Sequence, residues 1–134
     1  MKERILVVDD EAPIRDLLQA LFMRHGYGVS GAATAGEALR ALDESGFDLL
    51  VLDIALEDAD GLELLTSIRQ AHPSLPVIML TGMGYDQELE TEALTRGAQG
   101  YVSKTLPPDQ LLMEVHRVLR HSGANAPAEK EGPA

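Results

Sequence analysis

Cysteine is absent from this chain, and basic residues are scarce. Without cysteine, neither a disulfide framework nor a thiolate metal site can form. The 134 residues include 11 Lys and Arg against 22 Asp and Glu, for a formal net charge of −11 at pH 7. Proteins bind nucleic acid or anionic membranes by neutralising phosphate charge with Lys and Arg. The charge balance therefore argues against both as direct partners of this chain.

Long hydrophobic runs are missing as well. The apolar stretch near the N-terminus ends at Asp9, which makes it too short for a signal peptide or a membrane span. We therefore expect a cytoplasmic location. The length suits one domain with one core, which we expect over residues 1–121. Residues 122–134 include two prolines and have almost nothing to bury, which predicts a disordered tail or the start of a linker.

Short apolar runs recur along the rest of the chain. They occupy residues 5–8, 49–52 and 77–80, with weaker ones at 28–32 and 100–102. Unbroken apolar runs of this length are typical of strands that are covered on both faces. Such strands suit a parallel sheet better than a sheet with one solvated face.

Helical patterns separate these runs, with apolar residues at a spacing of three and four. The apolar positions of the first helix are Ile14, Leu17, Leu18, Leu21 and Phe22, and those of the last and clearest helix are Leu111, Leu112, Val115, Val118 and Leu119. The helix predicted from Tyr85 to Arg96 is the least apolar. Gly26, Gly46 and Gly97 each follow a helical stripe, where a C-terminal glycine cap is expected. Five β-α repeats predict a doubly wound α/β domain with a parallel sheet.

Polar side chains stand where most of the predicted strands end. Asp9 and Asp10 follow strand one, Asp53 follows strand three, Thr81 follows strand four, and Lys104 follows strand five after one serine. In an open α/β sheet, ligands bind at the carboxyl ends of the strands. If strands one and three are neighbours, the three carboxylates converge on one edge of the sheet.

Three converging carboxylates repel one another unless a counter-charge is present. Mg²⁺ suits such a site, because it binds few carboxylates and keeps waters that phosphate oxygens can replace. Lys104 adds a charge that can pair with a carboxylate or a phosphate, and Thr81 adds a hydroxyl donor. Carboxylate nucleophiles form aspartyl phosphates, and a metal and a lysine stabilise a transferring phosphoryl group. The set predicts a phosphoryl site with Asp53 as the nucleophile.

This ordered set resembles the receiver domain of the two-component response regulators, over roughly residues 4–119. The family also has an aromatic residue three positions before the lysine, where Tyr101 stands. The resemblance implies a flavodoxin-like fold of five parallel strands in the order 2-1-3-4-5. It implies Mg²⁺ ligation by Asp10, Asp53 and the main-chain carbonyl of Ala55, with Asp9 holding a ligated water.

The resemblance further implies that the phosphoryl donor is a sensor histidine kinase or a histidine phosphotransfer protein. The chain would be a phospho-acceptor switch without an output domain of its own, catalysing only its own phosphorylation and dephosphorylation. Phosphorylation adds about −1.5 to −2 charge. We expect Thr81 to swing toward the phosphoryl group and Tyr101 to rotate inward. The helix at 85–96, strand five and the last helix would then bind a downstream protein or, alternatively, a second copy of the chain.

The sequence departs from the family pattern at two positions. Family members usually have proline directly after the lysine, joined by a cis peptide, whereas Thr105 follows Lys104 here. A cis bond before a residue other than proline costs roughly 2.5–4 kcal/mol. Either packing of the site offsets that cost, or the loop is trans and rearranged. The second departure is Glu57, which stands in place of a proline and makes the loop after Asp53 acidic.

Other interpretations stay open at this point. Asp9, Asp10 and Glu11 before Pro13 also suit the start of a helix, where acidic residues and proline are favoured. A Mg²⁺-dependent phosphohydrolase of the haloacid dehalogenase type also forms an aspartyl phosphate, but it has a second Asp where Ala55 stands here. A receiver-like interaction module that works unphosphorylated is favoured only by the proline missing after the lysine. Turnover of free phosphate esters would distinguish the hydrolase.

Overall fold

The computed structural model describes residues 2–82 and 86–121 of the chain, along which strands and helices alternate. The strands are β1 (Arg4–Val8), β2 (Gly28–Ala32), β3 (Leu49–Asp53), β4 (Val77–Thr81) and β5 (Gly100–Ser103). The helices are α1 (Ala12–Arg24), α2 (Ala35–Glu44), α3 (Gly61–Ala71), α4 (Gln87–Thr95) and α5 (Pro108–His121). The predicted tail and the first residue of the predicted fourth helix, Tyr85, lie outside the described residues. Within them, no helix has the length and apolar character that crossing a membrane requires.

The strands pair in parallel, in the order β2-β1-β3-β4-β5. This order confirms the doubly wound five-stranded sheet expected from the sequence. β1 and β3 lie side by side, with Val8 opposite Leu52. Every residue of β3 and β4 is buried, which explains why these strands are unbroken apolar runs.

Helices cover both faces of the sheet, so the core has two halves. Leu6 and Val8 of β1 pack on one face with residues of α2, α3 and α4. Ile5 and Val7 point to the other face and pack with α1 and α5. Leu17 differs from its prediction, because it is 49 % exposed. It borders a groove between α1 and the β5–α5 loop instead of entering the core.

Polar caps and glycines end several helices. Side chains that accept hydrogen bonds from first-turn N–H groups are those of Thr34 for α2, Asp60 for α3 and Asp86 for α4. Gly26 and Gly97 have φ angles of 94° and 110°, so the glycine caps predicted there are confirmed. The cap predicted at Gly46 is wrong. α2 ends on Ser45 in an extended conformation, with φ of −142°, so no left-handed residue is needed.

The fourth helix is fastened less firmly than its neighbour. α4 has one buried residue, Ala93, whereas α3 has five. Arg96, directly after α4, donates from its NH1 group to Thr66 Oγ1 at 2.9 Å and to the Leu62 carbonyl at 3.2 Å. The attachment of α4 to α3 therefore depends on an arginine as well as on apolar packing.

Candidate functional site

The carboxyl edge of the sheet comprises the ends of β1, β3, β4 and β5 and the residues that follow them. Because β1 and β3 are neighbours, Asp9, Asp10 and Asp53 meet there, with carboxylate oxygens within 4.8 Å of one another. Asp9 and Asp53 are 0 % and 2 % exposed, and Asp10 is half-buried. The convergence predicted from the strand ends is therefore present in the fold.

Lys104 supplies positive charge at this edge. Its Nζ lies 2.8 Å from Asp9 Oδ2 and 3.2 Å from Asp53 Oδ2. The described residues contain no cis peptide bond, so Lys104 reaches both carboxylates with a trans peptide before Thr105. The second of the two alternatives left open by the sequence, a trans loop, is the one observed.

Burial and neighbouring charges set the ionisation of this pair. Burial raises the pKa of Asp53, the N–H of Ala55 opposes the shift, and the Asp9 carboxylate adds to it. Lys104 also opposes the rise, without cancelling it. Burial acts to lower the pKa of Lys104, but its contact with Asp9 and the charge of Asp53 raise it overall. The surroundings therefore favour the charged lysine and disfavour the charged Asp53.

The donor set fits a hard divalent cation. Three carboxylates lie within 4.8 Å of one another, and the ammonium of Lys104 contacts the carboxylates of Asp9 and Asp53. Excess negative charge in a buried site is unfavourable unless a cation neutralises it. All the donors are oxygens, which Mg²⁺ prefers. Ala55 donates its N–H to Asp53 Oδ1 at 3.2 Å, and ligation by its carbonyl stays a prediction.

Thr81 and Tyr101 lie on adjacent strands beside the carboxylates. Thr81 is fully buried at the end of β4, where the preceding Leu80 pairs with Asp53. Burial raises the pKa of Tyr101, and the nearby Thr81 side chain opposes the shift. The Tyr101 hydroxyl is buried without a well-formed hydrogen bond to any described residue. The ring is half-buried against the core on that face of the sheet, and its rotation upon phosphorylation stays a prediction.

The loop after β3 is held tightly against the sheet. The Gly61 N–H donates to the Ile54 carbonyl at 2.8 Å. A Cβ atom on Gly61 would collide with the Asp53 carbonyl oxygen and with Ile54. Glycine at this position therefore lets α3 begin close to the end of β3, which fixes the backbone of Asp53.

Two acidic residues make contacts that the sequence did not predict. Glu11 Oε1 lies 3.4 Å from Lys104 Nζ. Glu11 is also the residue directly before α1, which agrees with the alternative that these acidic residues mark the start of a helix. Asp58 Oδ1 accepts the N–H of Ala35 at 3.0 Å, so the acidic loop helps to hold the start of α2. These contacts join residues 93 and 23 positions apart. No local spacing could have signalled them.

The sequence of this chain is similar to those of known proteins. The family model described as the response regulator receiver domain matches residues 5–116. Regulatory protein VanR of Enterococcus faecium is 40 % identical over 120 residues, covering 90 % of this chain and 51 % of that protein. The alkaline phosphatase synthesis transcriptional regulatory protein PhoP of Bacillus subtilis is 37 % identical over 131 residues, covering 97 % of this chain and 54 % of that protein. The chain thus spans about half the length of these curated relatives.

Similarity extends to solved structures. A CheY-like response regulator receiver domain protein from Methanospirillum hungatei superposes with a TM-score of 0.87 at 34 % identity. The alignment covers 94 % of this chain and 100 % of that one. Sequence and fold point to the same family.

Proposed function

Because this chain belongs to the response regulator receiver domain family, we propose that it accepts a phosphoryl group on Asp53 in a Mg²⁺-dependent reaction. Receiver domains of response regulators take phosphoryl groups from histidine kinases, so the donor here is the phosphohistidine of a sensor kinase or of a phosphotransfer protein. The observation that carries the proposal is the position of Lys104 Nζ. It lies 2.8 Å from Asp9 and 3.2 Å from Asp53, inside an acidic cluster.

Phosphoryl transfer forms a bond between an Asp53 carboxylate oxygen and phosphorus. The P–N bond of the donor breaks, and its imidazole nitrogen keeps the electron pair. The Lys104 ammonium then pairs with a phosphoryl oxygen, and Thr81 donates its hydroxyl to another. A divalent cation held by Asp10 and Asp53, with Asp9 binding one of its waters, would supply the remaining positive charge.

The proposed output is a change of surface and not the turnover of a substrate. Ala55, two residues after Asp53, has no acid–base group that could activate water. Water therefore attacks the aspartyl phosphate slowly, which releases inorganic phosphate and restores the carboxylate. Thr81 and Tyr101 connect the site to β5 and α4, and α4 has little apolar anchorage. This surface is where a downstream protein would distinguish the two states.

Mass spectrometry of the intact chain, incubated with phosphoramidate and Mg²⁺, tests the proposal. The wild-type chain should gain one phosphoryl group that hydroxylamine removes, as expected of an acyl phosphate, and Asp53→Asn should gain none. Asp48→Asn is the matched control, because Asp48 lies before β3 at the other end of the sheet and accepts the Arg4 N–H at 2.8 Å. It should react at the wild-type rate. An unreactive wild-type chain, or a reactive Asp53→Asn variant, would contradict the proposal.

A further inference from the structure

The turn that carries Lys104 is built on hydroxyl groups. Ser103, the last residue of β5, accepts the N–H of Thr105 through its Oγ at 3.1 Å. The Ser103 and Thr105 hydroxyls share a hydrogen bond of 2.7 Å, and the Leu106 N–H donates to the Ser103 carbonyl at 3.2 Å. A serine side chain thus takes the N–H of a residue two positions ahead, which stabilises a tight turn.

The sheet fixes the same turn from its other side. The Lys104 N–H donates to the Thr81 carbonyl at 2.7 Å, next to the register pair Thr81 and Ser103. The peptide before Lys104 is therefore held by β4, and the peptide after it is held by the Ser103 hydroxyl. With both peptides fixed, the lysine side chain extends toward Asp9 and Asp53 and is only 11 % exposed.

Proline could not form this turn at the position after the lysine. It has no N–H, so the Ser103 Oγ would lose the donor that it meets here. Thr105 has both an N–H and a hydroxyl, and both contact Ser103. A proline ring and a hydroxyl pair are therefore alternative ways to restrict the same peptide.

We propose that Ser103 and Thr105 are positioning residues that aim the Lys104 ammonium at the phosphoryl group, in place of the proline usual in the family. The inference rests on the proposed function. Removing the Ser103 hydroxyl frees the peptide after Lys104, and the ammonium then samples positions from which it cannot contact the transferring group. The carboxylates stay in place, because Asp9 and Asp10 follow β1 and Asp53 ends β3.

Three single variants at positions 103 and 105 and one double variant test this with phosphoramidate as the donor. Ser103→Ala should lower the rate of phosphoryl acceptance about fivefold, the change that one ordinary hydrogen bond produces. Ser103→Thr keeps a hydroxyl and should stay within about twofold of wild type. In a Thr105→Pro background, Ser103→Ala should have no further effect, because the N–H that Ser103 accepts is already gone. Mg²⁺ affinity, measured by calorimetry, should not fall in any variant, because the carboxylates stay in place.

The outcomes separate positioning from a general effect on the fold. Rates are compared per folded molecule, with the folded fraction taken from thermal unfolding. The inference would be overturned by an equal loss of rate in Ser103→Ala and Ser103→Thr, or by a further loss of rate from Ser103→Ala in the Thr105→Pro background. Weakened Mg²⁺ binding would overturn it too. In each case the wild-type chain would still accept a phosphoryl group on Asp53. A wild-type chain that accepts none would overturn the proposed function and this inference together.

Discussion

The two edges of the sheet each hold a half-buried cation, but the groups that surround it differ. At the carboxyl edge, Lys104 lies among carboxylates that also repel one another. At the amino edge, where the strands begin, Arg69 meets neutral oxygens. Within the described residues its guanidinium donates, over distances of 2.6–3.3 Å, to the carbonyls of His72, Pro73, Leu75 and Gly97 and to Gln99 Oε1.

We infer from this difference that the amino edge mainly stabilises the fold and that the carboxyl edge carries the chemistry. Burial lowers the pKa of Arg69, but its neutral acceptors satisfy the guanidinium without repelling each other. Arg69 joins the end of α3 to the loops before β4 and β5. Burial raises the pKa of Asp53 at the carboxyl edge, so ionising Asp53 costs the folded state free energy unless a further cation binds beside Lys104. Functional sites commonly lower stability in this way.

Breaking the amino edge should have the largest effect on folding. Arg69→Met keeps the length of the side chain but leaves carbonyl oxygens in partly buried loops without a donor. We expect the free energy of unfolding to fall by roughly 1–3 kcal/mol, the usual range for lost partners of polar groups. Urea unfolding followed by circular dichroism measures this, and the folded fraction should still accept a phosphoryl group at the wild-type rate.

Arg40→Met is the matched control for that experiment. Arg40 lies on the exposed face of α2, and exposed substitutions of this kind usually change stability by less than about 0.5 kcal/mol. Equal stability of the two variants would mean that the neutral acceptors around Arg69 do not stabilise the amino edge.

Substitution of Asp53 at the carboxyl edge should raise the free energy of unfolding, whereas substitution of Arg69 lowers it. The folded state raises the pKa of Asp53, so it holds the proton more tightly than the unfolded chain does. Wild-type stability should therefore fall as the pH rises from the ordinary Asp value through the raised folded value. Asp53→Asn lacks this loss, and without metal at neutral pH it should be more stable by about 0.5–2 kcal/mol.

Metal addition sharpens the same comparison. At a Mg²⁺ concentration ten times the wild-type dissociation constant, the wild-type chain should be stabilised by about 1.4 kcal/mol and Asp53→Asn by much less. The difference in the free energy of unfolding between the two proteins should therefore become smaller. Thermal unfolding of both proteins with and without Mg²⁺ measures the effect of the metal. The same measurement near pH 3, where the two stabilities should become equal, measures the effect of pH. Lower stability of metal-free Asp53→Asn at neutral pH would contradict a repulsive carboxyl edge.

Sequence alone predicts the carboxyl edge better than the amino edge, for a physical reason. Asp9, Asp53 and Thr81 each stand at the end of an apolar run, and a parallel sheet brings such ends together whatever the loops do. Arg69 gives no signal, because its partners are mainly backbone carbonyls, which every residue has. The role of the Ser103–Thr105 pair could not be predicted from the sequence either, since serine and threonine often stand in turns without positioning a functional side chain.

The smallest predicted effect concerns α4, which runs between the two edges. It begins after Asp86, whose side chain caps it, and ends before Arg96, which reaches α3. Arg96→Met should raise amide hydrogen exchange in α4 severalfold and leave global unfolding nearly unchanged, because only Ala93 is fully buried there. Hydrogen exchange read by mass spectrometry resolves this segment.

Arg117→Met tests whether the weakness belongs to α4 or to any helix that loses an arginine. Arg117 donates to the Gln99 carbonyl at 2.9 Å and pairs with Glu114 at 2.8 Å, much as Arg96 contacts α3 and Glu92. Its helix, α5, is also anchored by buried apolar side chains, those of Leu111, Leu112, Val115, Val118 and Leu119. Exchange in α5 should therefore stay at the wild-type rate. If α5 opened as readily as α4, sparse apolar anchorage could not be a reason to propose α4 as the switching helix. The proposed switching surface would then have to be sought on another helix.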